Sequence, residues 1–160
     1  MTINFILNGE DVSLQAEAEN RLIEILRGNF GLTGTKGSCY ASNCGACSVI
    51  FNGNVVKSCL IPAFKISGSE VITIEGFMMT DEYQDFVYGF NRTKIENCGF
   101  CTVGKILATE SLLNRNLQPS AEEILNAFDG VKCRCTDPEE LAKTVMVIAE
   151  HRRRRRYGRS

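Results

Sequence analysis

The sequence predicts an α+β protein, with a small sheet-and-helix domain over residues 1–77 and a helical domain over residues 78–160. Three observations lead there. Apolar residues recur with period 2 in the first half and with period 3.6 in the second. Two Asn-Gly dipeptides, at 8–9 and 52–53, sit between alternating runs, the strongest short hairpin signal. Eight cysteines divide four and four across the same boundary. At 44% hydrophobic and 23% charged, the chain reads as globular, long enough for one respectable core or two small ones.

Each element has a local cause. TINFIL (2–7), Asn8-Gly9 and VSLQA form one hairpin; SVIF, Asn52-Gly53 and NVVKS form another. Between them NRLIEILRGNFG places Leu22, Ile23, Ile25 and Leu26 on one side of a short helix that ends near Gly28 to Gly31. EVITIEG (70–76) supplies a last strand. Thr80 then caps a helix with Phe86, Val87 and Phe90 on its inner face, and KILATESLLNR carries Ile106, Leu107 and Leu113 on the next. Ser120 with Glu123 is a capping box opening EEILNAF, and Gly130 is a stop. Asp137-Pro138 opens the final helix, with proline at the first helical position. Four helices with short links make a compact bundle.

No apolar run approaches the roughly 20 residues that a membrane span needs. The N-terminus has neither a basic segment nor a small-residue cleavage site, so no secretory signal is expected and the cytoplasm is the expected location. In a reducing compartment cysteines serve as metal ligands or catalytic thiols sooner than as disulfides. Net charge is −1, yet six of the 18 basic residues lie in HRRRRRYGRS, leaving 12 basic against 19 acidic before it. With no basic patch elsewhere, nucleic acid is not the expected partner; the arginine run continues a helix, where cations suit the C-terminal dipole, and then frays or docks on an acidic partner. His151, beside that run, reads as a solvated helix residue.

The cysteine spacing carries the chemistry. Cys39-x4-Cys44-x2-Cys47 with a remote Cys59 is the plant-type spacing for a [2Fe-2S] cluster held by four thiolates. A loop around two irons must deliver two thiolates to each, while its backbone amides point at sulfur. Structural zinc is the competing reading, although zinc modules tend to show two symmetric knuckles. A Rieske centre is excluded, because it needs two histidines and the chain has one. Cys98-x2-Cys101 with Cys133-x-Cys135 forms a second set; zinc or a redox-active pair compete there, and a thioredoxin-like reading lacks its βαβ setting.

Together, GLTGTKGSC (31–39), CGAC (44–47), Cys59, CGFC (98–101) and CRCT (133–136) resemble the small iron-sulfur subunit of the molybdenum hydroxylases, the family of xanthine dehydrogenase, aldehyde oxidoreductase, nicotinate dehydrogenase and aerobic carbon monoxide dehydrogenase. The resemblance spans essentially the whole chain. It implies a β-grasp ferredoxin domain followed by a four-helix domain, each with one [2Fe-2S] cluster. It implies Cys39, Cys44, Cys47 and Cys59 as ligands of the outlet cluster, and Cys98, Cys101, Cys133 and Cys135 as ligands of the cluster nearer molybdenum. It also implies a large subunit carrying molybdopterin-bound molybdenum and a further subunit carrying FAD. The chain itself has no GxGxxG and no P-loop, so those cofactors belong on partners.

Some positions depart from the family pattern. Asn97 stands where glutamine usually contacts the pterin; it keeps the amide and is one methylene shorter. Val103 replaces a usual proline, Asp137-Pro138 a glycine and an aromatic, and Ser42 a common glycine. Two other classes remain beside the electron-transfer subunit of a hydroxylase: a free-standing two-cluster ferredoxin and a zinc-stabilised interaction module.

Overall fold

Strand β1 (Thr2–Leu7) buries every second residue, Ile3, Phe5 and Leu7, and so presents one apolar face to the core. It turns back through Asn8 and Gly9, both at positive φ (52° and 86°), into β2 (Glu10–Gln15), with Phe5 opposite Val12 and Ile3 opposite Leu14. Left-handed conformation at both central positions matches the strand twist, which is why Asn-Gly is chosen there. A computed structural model gives this architecture for residues 1–158; Arg159 and Ser160 of the basic tail lie outside the described residues.

Helix α1 (Leu22–Gly28) buries Leu22, Ile23, Ile25 and Leu26 as expected. The second hairpin, β3 (Ser48–Phe51) and β4 (Asn54–Lys57), turns at Asn52-Gly53, again at positive φ. Strand β5 (Glu70–Ile72) lies between the hairpins, parallel to β1 and antiparallel to β3, giving the order β2-β1-β5-β3-β4. A mixed sheet closed over one helix is the β-grasp arrangement. Its core joins Ile3, Phe5 and Leu7 to Leu22, Ile25, Leu26, Val49 and Val71. The last strand is shorter than EVITIEG suggested. It ends at Ile72, and residues Ile74–Phe77 form the one-turn helix α2, whose Ile74 and Phe77 pack into the helical core.

The helical part comprises α3 (Asp81–Thr93), α4 (Thr102–Arg115), α5 (Ala121–Ala127) and α6 (Pro138–Tyr157). The caps are those the sequence announced: the Thr80 hydroxyl accepts from the Tyr83 N–H, Ser120 and Glu123 cap reciprocally, and Asp137 accepts from the N–H groups of Glu139 and Glu140. Val87, expected on the inner face of α3, is exposed; Asp85 and Gly89 occupy that face beside Phe86. Helix α4 starts three residues earlier than Lys105 and is buried almost all round, because β3 and β4 cover one side and α5 another. Among the described residues no helix is long and apolar enough to cross a membrane.

The arginine run is where the sequence reading needs most correction. It continues α6 to Tyr157 as expected, but part of it is already paired within the protein. Arg152 is fully buried; its Nε donates to Asp85 Oδ2 (2.8 Å) and its Nη2 to Glu110 Oε2 (2.7 Å), tying α6 to α3 and α4. Arg155 also grips Asp85, and Arg156 grips Glu82. His151 is half-buried: its Nδ1 lies 3.0 Å from Asp85 Oδ1 and its ring stacks on Tyr88 at 3.9 Å. Burial pushes the Asp85 carboxyl up, but hydrogen bonds from Arg155, Arg152 and His151 outweigh it and hold the group below its ordinary value. Removing one partner of a buried pair strands the other charge, at about 3–5 kcal/mol. Arg152→Ala is therefore expected to lower the unfolding free energy by about that amount. Arg154→Ala, on the exposed side, should stay within roughly 0.5 kcal/mol. Urea denaturation of both variants measures the contrast.

Candidate metal centres

The loop from Cys39 to Cys47 is shaped by backbone conformation. Tyr40 and Ser42, at φ 50° and 60°, are left-handed, and they alternate with Ala41 and Asn43. That alternation turns successive N–H groups inward: those of Ala41 (3.4 Å) and Asn43 (3.3 Å) both donate to Cys39 Sγ. These amides hold the Cys39 thiol down to about 6, so it is a thiolate at neutral pH. Ser42, where a glycine was expected, adopts the left-handed conformation that glycine would supply.

The four cysteines of this first set gather as two pairs, Cys44 against Cys39 and Cys59 against Cys47. Two ligands to each of two irons is the division a [2Fe-2S] core asks for. Cys47 and Cys59 are buried with Ile23 of α1, and burial pushes the Cys47 thiol up to about 11. Ser58, after β4, fixes the second pair by donating both its N–H (3.1 Å) and its hydroxyl (2.8 Å) to the Cys47 carbonyl.

The second set is tighter. Cys98, Cys101 and Cys135 bring their sulfurs within 4.8 Å of one another. Separations are 3.8 Å for Cys98 to Cys101, 3.6 Å for Cys101 to Cys135 and 3.4 Å for Cys133 to Cys135. Cys101 stands at the N-terminus of α4, whose dipole favours negative charge, while Cys98 and Gly99 are exposed. Hydrogen bonding, first of all from the Cys98 backbone, holds the Cys135 thiol down to about 5. Burial pushes Cys101 up, and its neighbours Cys133 and Cys135 add to the effect. Four sulfurs held this close are the donor set that a [2Fe-2S] cluster takes, and binding one requires the buried Cys101 thiol to give up its proton. Beside Cys135 a cavity of about 430 Å³ opens, lined by Lys94, Glu96, Thr136, Glu140 and Lys143 among others.

Asn97 is exposed and does not stand alone. Its Oδ1 accepts from Lys105 Nζ at 3.2 Å, and that ammonium also donates to Thr136 Oγ1 (2.6 Å) and Cys135 Sγ (3.6 Å). Lys105 is fully buried, and the sequence reading passed over it. The available signal was a lysine one helical turn past Cys101 inside an otherwise apolar stretch, VGKILA.

The two sets meet at a seam. The Lys132 N–H, one residue before Cys133, donates to the Cys44 carbonyl at 3.1 Å. A β-carbon on Gly104 of α4 would stand 2.7 Å from the Gly45 carbonyl oxygen, and one on Gly45 would stand 2.6 Å from that of Gly130. Only glycine lets the backbones approach this closely.

Residues 5–71 match a family described as a 2Fe-2S iron-sulfur cluster binding domain, and residues 73–146 one described as a [2Fe-2S] binding domain. Among curated proteins, the nicotinate dehydrogenase small FeS subunit of Eubacterium barkeri is 42% identical over 136 residues, covering 85% of this chain and 87% of that protein. This chain is a small iron-sulfur subunit of the molybdenum hydroxylase family. The aldehyde oxidoreductase of Megalodesulfovibrio gigas is 35% identical over 89% of this chain but only 16% of its own, so the same unit also occurs inside longer polypeptides. The structure of quinoline 2-oxidoreductase from Pseudomonas putida 86 matches with a TM-score of 0.87 at 32% identity, covering 99% of this chain and 98% of the matched one. The relatives are subunits or segments of oxidoreductases, which makes this small subunit part of an oxidoreductase complex with two iron-sulfur domains.

Glycine to alanine inside a helix ordinarily stabilises by about 1 kcal/mol. At Gly104 the close carbonyl should reverse the sign, because forced overpacking costs about 1–3 kcal/mol. Thermal melting of Gly104→Ala should therefore show a lower Tm than wild type, whereas Gly28→Ala, at the end of α1 with open space around it, should not.

Proposed function

We propose that this small subunit is the electron-transfer component of a multi-subunit molybdenum hydroxylase. Cys98, Cys101, Cys133 and Cys135 would hold the [2Fe-2S] cluster nearer a molybdopterin centre on a large subunit. Cys39, Cys44, Cys47 and Cys59 would hold the one nearer FAD or another acceptor on a further subunit. Each cluster, when bound, accepts and releases one electron without moving a proton or an atom. The chain's own part is to hold the ligands, exclude water and keep the two sites close.

The observation that carries this reading is the seam. The Lys132 N–H to Cys44 carbonyl bond at 3.1 Å joins the backbone of one cysteine loop to that of the other. Buried Gly45, Ala46, Val103 and Gly104 exclude water around it. A zinc module has no use for two thiol sites so coupled, and co-purification with a large molybdenum-bearing chain separates the subunit from a free-standing two-cluster ferredoxin. The exposed turn at Asn97 to Phe100 and the cavity beside Cys135 offer the large subunit its surface, with Asn97 as the contact for the pterin. Thiolate ligands need a reducing compartment, which suits the cytoplasm.

Purification from cells able to build clusters should yield about four irons and four acid-labile sulfides per chain, with two distinguishable EPR signals after reduction. Zinc without sulfide would sink the proposal. Cys101→Ser should lose one signal and keep the other, and block electron delivery from molybdenum; loss of both would argue against separate sites. Asn97→Ala should slow turnover in the assembled complex, and an unchanged rate would remove the pterin contact.

A further inference from the structure

Lys105 raises a question that ligand geometry leaves open. Its side chain is sealed inside the protein, and burying an unpaired ammonium is among the most costly things a fold can do. None of the ion pairs among the described residues involves it. Its three N–H groups are used by Asn97 Oδ1, Thr136 Oγ1 and Cys135 Sγ. Thr136 already donates its hydroxyl hydrogen to the Glu96 carbonyl at 2.8 Å, so it can only accept from Lys105. Three acceptors at one nitrogen match the three donors of an ammonium. Two of them are neutral oxygens, which leaves the cysteine sulfurs as the counter-charge.

We infer that Lys105 is a positioning residue for the second centre: its buried ammonium fixes the Asn97 amide and raises the reduction potential of the cluster bound by Cys98, Cys101, Cys133 and Cys135. The inference rests on the relay reading above. A four-thiolate cluster gains one negative charge when one electron arrives from substrate oxidation at the hydroxylase centre, and a fixed cation beside its sulfur stabilises the reduced state more than the oxidised one. Hydrogen bonds to sulfur and local burial act in the same sense. The position on α4 fixes where the charge sits: Lys105 follows Cys101 by one turn, and its own N–H bonds the Cys101 carbonyl at 3.1 Å.

The same ammonium decides which way Asn97 faces. Lysine can only donate, so the amide oxygen must turn inward and the NH2 group outward, toward the exposed surface. Asn97 therefore offers the partner hydrogen-bond donors, held at a fixed angle by the buried end of the same network.

The test is a redox titration followed by EPR on full-length Lys105→Met, purified with the chains that accompany it. Expected are wild-type iron and sulfide, an unmoved midpoint for the ferredoxin-domain signal, and a more negative midpoint for the signal that Cys101→Ser abolishes. A tenfold change in the reduced-to-oxidised ratio is about 59 mV for one electron. The shift should persist at about 1 M salt, because a buried charge is little screened. An unmoved midpoint overturns the inference alone. If Lys105→Met fails to hold the second cluster, Lys105→Gln takes its place with the same expected shift, and Lys105→Arg should restore the potential. Loss of the second cluster in both neutral variants would make Lys105 a packing residue and overturn the inference. Wild-type protein lacking sulfide would instead overturn the relay reading and this inference with it.

Discussion

The rest of the structure depends on the contact between Gly45 and Gly104. Two cysteine sites on different lobes lie side by side here because their backbones nearly touch. One lobe is a sheet with a cysteine loop at its edge, the other a helix that opens on a cysteine. Side chains at either surface would hold them apart by the thickness of a methyl group. The fold answers with glycine on both sides and with a backbone hydrogen bond, Lys132 N–H to the Cys44 carbonyl, across the same seam.

The helical lobe is organised by two buried cations with different partners. Arg152 meets Asp85 and Glu110, so its charge is balanced by the protein itself and its role is to fix α6 against α3 and α4. Lys105 meets oxygens and sulfur, so its balance depends on the thiolates. A bidentate, rigid guanidinium suits the first task, and a compact point charge on a flexible stem suits the second. Four cysteine sulfurs and an ammonium thus crowd together at the start of α4.

Much of this was legible beforehand. Hairpins announced by Asn-Gly, caps announced by Thr80, Ser120 and Asp137, and the spacing of eight cysteines are local signals, and local signals survive folding. What escaped reading was decided by tertiary neighbours. Glu110 and Arg152 look like surface charges until α3 supplies Asp85 beside them. Val87 fits an apolar stripe, yet the stripe turns away because Gly89 lets Ile148 of α6 approach so closely that a β-carbon there would overlap its side chain. EVITIEG reads as one strand, but only Glu70–Ile72 finds partners in β1 and β3; the remainder turns toward the helical core. The Lys132 contact uses a peptide group, and no side chain advertises it.

The nest around Cys39 has the same property. Its donors are the N–H groups of Ala41 and Asn43, which every residue except proline possesses. The loop can thus drift in composition while its electrostatics stay constant, so long as positions 40 and 42 keep access to left-handed conformation. An alanine scan would report these residues as dispensable, although their amides hold the sulfur. Replacing the peptide bond itself by an ester, which deletes one donor and leaves every side chain in place, is the perturbation to which such a site is sensitive.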